Sequence, residues 1–118
     1  MNQITKKKLV RNWFKTLQEV LCKEIEELEG NSNLFRYKKW ERGKKSSEGG
    51  GQFRILENGK IFEKVGVNFS EVFGKFSKQF RNKIPGTSKN SKFWASGISV
   101  VMHMKNPHIP AMHFNTRY

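Results

Sequence analysis

The sequence predicts an α+β fold, an antiparallel sheet flanked by helices, and three observations predict it. Apolar residues recur at helical spacing through residues 1–30. An Asn58-Gly59 pair separates two short β-type runs. Residues 93–118 hold two longer β-type runs, split by Asn106-Pro107 and Ile109-Pro110. A length of 118 residues allows one small domain, and ten Phe with an apolar fraction of 36% point to an aromatic-dominated sheet core.

Thr5 is placed to cap a helix whose apolar positions are Leu9, Trp13, Leu17, Val20, Leu21, Ile25 and Leu28, at spacings of three and four, with Gly30 as its stop. Such a helix needs a surface to lie on, and the face of a sheet is the ordinary one. A membrane surface is the alternative, and the five Glu of its carboxy-terminal half argue against it. Leu34 to Arg42 reads as a strand in which Phe35, Tyr37 and Trp40 alternate with basic residues. Lys44 to Gly51 reads as a flexible connection, its triple glycine a loop or bulge that lacks the strand, helix and Lys-Ser/Thr pair of a phosphate-binding loop. Phe53–Glu57 and Lys60–Lys64 are predicted to form a hairpin about a type I′ turn at Asn58-Gly59. The extended path continues from Gly66 to Ser70, and Ser70 is placed to cap a short helical turn toward Gly74. Residues 75–92 form a basic stretch with a turn at Pro85-Gly86. The Trp and Phe side chains are assigned to the core.

The net charge of +13 attracts anions of any kind, so its location carries more information than its total. Residues 1–29 carry six basic and five acidic side chains, whereas residues 30–45 carry six and one, and residues 75–92 six and none. A solvated basic face accounts for both stretches. Aromatic and basic residues interleaved between Phe35 and Lys45 also suit single-stranded nucleic acid, but no recognisable nucleic-acid motif accompanies them. Cys22 is the only cysteine, which excludes an intrachain disulfide and a CxxC motif and reads as a small core hydrophobe. With no apolar run of signal-peptide or membrane-spanning length, a cytoplasmic location is expected.

On strands, side chains alternate between faces. Gly97, Ser99, Val101 and His103 therefore share one side of the strand Phe93–His103, against Ile98, Val100 and Met102. On the strand Ala111–Tyr118 the polar set is Ala111, His113, Asn115 and Arg117, against Met112, Phe114, Thr116 and Tyr118. Antiparallel pairing over one core would gather Ser99, His103, His113, Asn115 and Arg117 on one surface. Arg can hold a carboxylate bidentately, Ser and Asn can donate hydrogen bonds, and His can move a proton near neutral pH. The wet face of an ordinary antiparallel sheet has the same composition and needs no ligand. His108 falls in the connection between two prolines, where nothing assigns it chemistry.

The run GISVVMHMKNPHIPAMHFNTRY, Gly97 to Tyr118, resembles the signature of the oxygen-dependent coproporphyrinogen III oxidases, and GGGQFRILENGKIFEKVGVNFSEVFG, Gly49 to Gly74, resembles the block preceding it. The resemblance implies a haem-biosynthesis enzyme that decarboxylates two propionates of coproporphyrinogen III oxidatively, giving protoporphyrinogen IX. It implies O2 as co-substrate without an organic cofactor, a large antiparallel sheet with helices on both faces, and a homodimer. By the same resemblance Ser99 contacts substrate, His113 donates a proton, and Asn115, Thr116 and Arg117 form a substrate-contacting run, Thr116 through its backbone. His103 and His113 match positions assigned to a divalent metal in bacterial members, whose further ligands lie beyond Tyr118. Met104 stands where members often have Pro, which is expected to loosen the following loop. Members are more than twice this length. The chain accordingly reads as the amino-terminal part of a single oxidase domain: helix 1–30, strands and hairpin 34–74, basic loop 75–92, site-bearing strand pair 93–118. A carboxy-terminal half is missing from that fold, so the isolated piece is expected to be inactive without a complementary chain. A truncated gene product, a split enzyme and an incomplete sequence are all consistent with this. An unpaired sheet edge would make the piece poorly soluble.

Overall fold

The computed structural model of the chain describes residues 1–77, 83 and 91–118. Helix α1 (Gln3–Leu28) starts at Asn2, whose side-chain oxygen accepts a 2.8 Å hydrogen bond from the backbone N–H of Thr5. The cap is therefore Asn2 rather than Thr5, one turn earlier than the apolar pattern indicates. At the other end Gly30 takes a φ of +77°, with its N–H on the Glu27 carbonyl and that of Asn31 on Glu26, the stop predicted for it.

Five strands follow in a simple meander, β1 (Arg36–Glu41), β2 (Gly49–Glu57), β3 (Phe62–Lys75), β4 (Lys92–Met104) and β5 (Met112–Arg117), each antiparallel to the next. Helix α1 covers one face of this sheet. The predicted helix-flanked antiparallel sheet is thus present with one α-helix, on one face, among the described residues. No described helix is long and apolar enough to cross a membrane. The turn at Pro85-Gly86 lies outside the described residues.

The core is the layer between α1 and the sheet. Phe14, Cys22 and Ile25 meet Leu56, Phe62, Val65, Val67, Phe69, Ile98, Val100 and Met102 there. The buried line of α1 is Phe14, Gln18, Cys22 and Ile25, while Leu9, Trp13, Val20 and Leu28 are at least half exposed. The predicted apolar stripe thus holds for Ile25, which is in the core, and for Leu17 and Leu21, which pack against it, but fails for the other four, and Trp13 is not a core residue. Gln18 explains the error: it is buried because its Nε2 donates to the carbonyls of Gln52 (2.9 Å) and Val67 (3.1 Å), so a polar side chain sits where periodicity seeks an apolar one.

Three further expectations fail for identifiable reasons. The triple glycine is not a flexible connection but the first three residues of β2, paired with β1 and β3. A Cβ on Gly51 would collide with the Phe69 carbonyl and the Trp40 ring, so the missing side chain lets the neighbouring strands close on β2. The Ser70–Gly74 helical turn is absent, because β3 runs unbroken through it.

The hairpin forms, but about Lys60-Ile61: Glu57 pairs with Lys64, and Asn58 and Gly59 donate to the carbonyls of Glu63 and Phe62. Asn58 alone of the Asn-Gly pair takes a positive φ. The shift moves the turn by two residues, an even number, so every side chain keeps its predicted face. Its cause is Glu29, 2% exposed, whose carboxylate accepts from the backbone N–H groups of Lys60 (2.6 Å), Ile61 (2.9 Å) and Phe62 (2.8 Å). Burial pushes the Glu29 carboxyl up. The three N–H donors and the nearby Lys105 ammonium outweigh it and hold the group below its ordinary value.

A second buried charge lies at the other side of the helix. Arg54 stacks on Tyr37 at 4.1 Å and donates from Nε to Gln52 Oε1 at 2.7 Å. Its Nη1 lies 2.9 Å from Glu19 Oε2, close enough for an ion pair although that nitrogen has no well-aligned acceptor. Beside it, burial pushes the Cys22 thiol up to about 12, against the opposing charge of Arg54.

Replacing Glu29 with Gln should cost about 2–3 kcal/mol at pH 7, measured by urea denaturation, because backbone donors are left facing an uncharged and misoriented amide. A carboxyl held below its unfolded value stabilises the fold at pH above about 4.5 and loses that contribution as pH falls through its folded value. The gap between wild type and E29Q should therefore narrow on acidification. Cys22 should react with a thiol reagent at pH 8 only once the protein is unfolded by urea; rapid native-state labelling would contradict its burial.

Candidate active site

Strand β4 fixes the site because its alternate residues Ile98, Val100 and Met102 are 1%, 0% and 9% exposed beneath α1. Ser99 and His103 must then lie on the other face. Strand β5 pairs Gly97 with Arg117, Ser99 with Asn115 and Val101 with His113, which puts Asn115, His113 and Arg117 on that same face. His103 stands two residues beyond Val101, diagonal to His113. All five residues predicted to converge are thus on one surface, facing away from α1.

The pairing type brings them closer still. Ser96 and Tyr118 exchange both backbone hydrogen bonds, at 3.2 and 2.9 Å, so hydrogen-bonded pairs fall at even positions of β4. The pairs Gly97/Arg117, Ser99/Asn115 and Val101/His113 are the non-hydrogen-bonded kind, in which opposing side chains approach most closely. Gly97 adds room, since a Cβ there would meet the Thr116 carbonyl and the Arg117 backbone. Thr116 pairs with Ile98 and lies on the α1 side, so only its backbone is available to the site face.

Strand β3 extends the surface with residues that the motif reading left out. Asn68 is opposite Ser99, Lys64 opposite His103, and Ser70 opposite Gly97. Asn68 Oδ1 accepts a 2.8 Å bond from the indole Nε1 of Trp40 on β1, which orients its amide. Parity carried across the sheet would have found Asn68 and Lys64, but it needs the register, which sequence alone does not supply. Ser99 and Asn68 are half-buried, and His103, His113, Asn115 and Arg117 are exposed. The face is an open wall. Two clefts lie elsewhere, one of about 640 Å³ along α1, β1 and β2 and one of about 530 Å³ near Lys7 and Trp94.

His103 and His113 are the two imidazoles on this face. No group of three or more His, Cys, Asp or Glu gathers among the described residues, and the Lys64 position opposite His103 supplies a competing cation. His108 is exposed in the loop, its N–H on Asn106 Oδ1 at 2.9 Å. Met104, at the start of that loop, pairs with Phe62 and packs on the core. Lys105 next to it donates from its backbone N–H to the Ile61 carbonyl at 2.8 Å.

Residues 9–118 match the family described as Coproporphyrinogen III oxidase. Proteins named oxygen-dependent coproporphyrinogen-III oxidase from Rickettsia felis, Rickettsia akari and Rickettsia africae are 47%, 48% and 49% identical to the chain, over 98% of its length. The chain spans 43% of the length of each of these relatives. With the match covering all five strands and most of α1, the chain belongs to the coproporphyrinogen III oxidase family.

Proposed function

We propose that the face bearing Ser99, His103, His113, Asn115 and Arg117 is one wall of a site for coproporphyrinogen III, which is decarboxylated oxidatively to protoporphyrinogen IX. The observation that carries this reading is the β4–β5 register, which sets a guanidinium, an amide, a hydroxyl and two imidazoles on one side of the sheet. A tetracarboxylate substrate requires cationic and donor groups on one surface, and this face has them. Arg117 would grip a propionate bidentately, with Asn115, Ser99 and the backbone of Thr116 donating around it. His113, four residues along the face from the Arg117 position's partner row, is placed to exchange a proton with the pinned tetrapyrrole. At each reacting propionate the carboxylate departs as CO2 and the β-carbon gives up a hydride equivalent, leaving a vinyl group. O2, which the relatives' name makes the co-substrate, takes the two electrons and with a further proton becomes H2O2.

An open wall encloses nothing, and the relatives carry a further part equivalent to more than half their length. We infer that turnover requires that part. The α1-side face of β5 supports this, because Met112, Phe114 and Tyr118 are 37%, 36% and 53% exposed there. The nucleic-acid reading gains nothing from the geometry. Tyr37 lies under Arg54 on the α1 side, while Trp40 bonds Asn68 on the other, so the two aromatics do not form one stacking platform.

Refolding the chain with the remaining segment of the Rickettsia felis relative should yield aerobic conversion of coproporphyrinogen III, followed by porphyrin fluorescence after oxidation, and no conversion without oxygen. In that reconstituted protein Arg117→Ala and His113→Ala should each lower kcat/KM by about 10²-fold or more. Unchanged turnover in either variant would remove the proposed role.

A further inference from the structure

Across the sheet the site face falls into rows. Trp40, Gly51, Ser70, Gly97 and Arg117 stand opposite one another in one row, and Phe53, Asn68, Ser99 and Asn115 in the next. Asn68 and Ser99 are thus neighbours on adjoining strands, in line with Asn115 and one row from Arg117. Both are half-buried. Among the described residues the Ser99 side chain has no hydrogen bond and that of Asn68 has one, the bond to Trp40.

That bond decides which end of the Asn68 amide is engaged. An indole N–H donates and never accepts, so the amide oxygen faces Trp40 and the NH2 group is left over. To reach Asn68 from β1 the indole must cross β2, and Gly51 lets it pass: a Cβ there would lie 2.8 Å from Trp40 Cζ2. Phe53, the next residue of β2 on this face, leans the other way, its Cζ 3.1 Å from where a Cβ on Gly66 would stand. An indole and two bare strand positions therefore fix the direction of one amide. A carboxylate at position 68 would accept from Trp40 equally well, but it would offer no donor at its other end.

We propose that Asn68 is a further substrate-binding residue, donating from Nδ2 together with the Ser99 hydroxyl to one carboxylate of the tetrapyrrole. Trp40 is the positioning residue that holds the amide for this contact. The inference rests on the reading of this face as a wall for coproporphyrinogen III and deepens it. Asn68 and Arg117 stand two strands and one row apart, roughly 12 Å between Cα atoms, which suits two separate propionates rather than the two oxygens of one. Arg117 would take one propionate as an ion pair, and the neutral donors of Asn68 and Ser99 would take another. Unlike grips at two points give the ring one preferred orientation on the wall.

Titration of the full chain with coproporphyrin III, the air-stable porphyrin that carries the same four propionates, tests this through the change in porphyrin fluorescence. Wild type should bind with a Kd below about 100 µM, and Arg117→Ala at least about tenfold more weakly. Asn68→Asp keeps the acceptor for Trp40 and the shape of the side chain but turns an anion toward the carboxylate. It should bind at least about tenfold more weakly, with an unchanged melting temperature. Gln3→Glu, the same change of charge at the start of α1, should stay within about twofold of wild type. Trp40→Phe, which removes the N–H and keeps an aromatic ring, should weaken binding about threefold in the wild-type background and not at all in Asn68→Ala, where no amide remains to be oriented. A wild-type chain that does not bind the porphyrin would overturn the wall reading and this inference with it. Binding lost in Arg117→Ala yet kept within about twofold in Asn68→Asp would overturn this inference alone and leave Asn68 as a tether for Trp40. Equal weakening by Trp40→Phe with and without Asn68 would remove the positioning role.

Discussion

Burial of Ile98, Val100 and Met102 beneath α1 is the constraint on which the rest of the molecule depends. A strand's side chains alternate, so fixing those three inward fixes Ser99 and His103 outward. A slip of one residue would exchange the two sets and place an imidazole and a hydroxyl in a layer shared with Val65, Val67 and Phe14. The energetic penalty of that exchange makes the register specific. The polar face is therefore positioned by hydrocarbon on the opposite side of the sheet, before any contact among the polar residues themselves.

Two buried charged groups hold the apolar layer in alignment. Glu29 binds the end of α1 to the β2–β3 hairpin through three backbone donors, and Arg54 joins the helix to β1 and β2 through Glu19, Gln52 and Tyr37. Each uses a charge where a small core has little hydrocarbon to spare. The Glu29 contact also pins the neighbouring connection, since Lys105 donates from Nζ to the Gly59 carbonyl at 3.2 Å. The helix end, the hairpin and the start of the loop leading to β5 thus share one anchor, and the site strand β5 follows directly from it.

Much of this was legible in the sequence because period-two alternation depends only on the chain's local geometry. Ser99, His113 and Arg117 could be assigned to one face without knowing where the turn lay, and the even shift of the hairpin left those assignments intact. What was not legible came from long-range polar contacts. Asn58-Gly59 is the better local turn, but Glu29 needs the N–H groups of residues 60–62 and draws the turn toward them. Gln18 replaces an apolar residue on the buried line of α1 because two sheet carbonyls accept from it. Asn68 entered the candidate site only when the β3–β4 register set it opposite Ser99.

The register between β4 and β5 is the central claim, and cross-strand disulfide formation measures it most directly. Ser99→Cys combined with Asn115→Cys places two thiols in a non-hydrogen-bonded pair, with Cα atoms within the range a disulfide spans. The account predicts rapid intrachain oxidation of that double variant, and none when Ser99→Cys is combined with Thr116→Cys. The reverse outcome would put Ser99 and Asn115 on opposite faces and contradict the shared surface on which the functional reading stands.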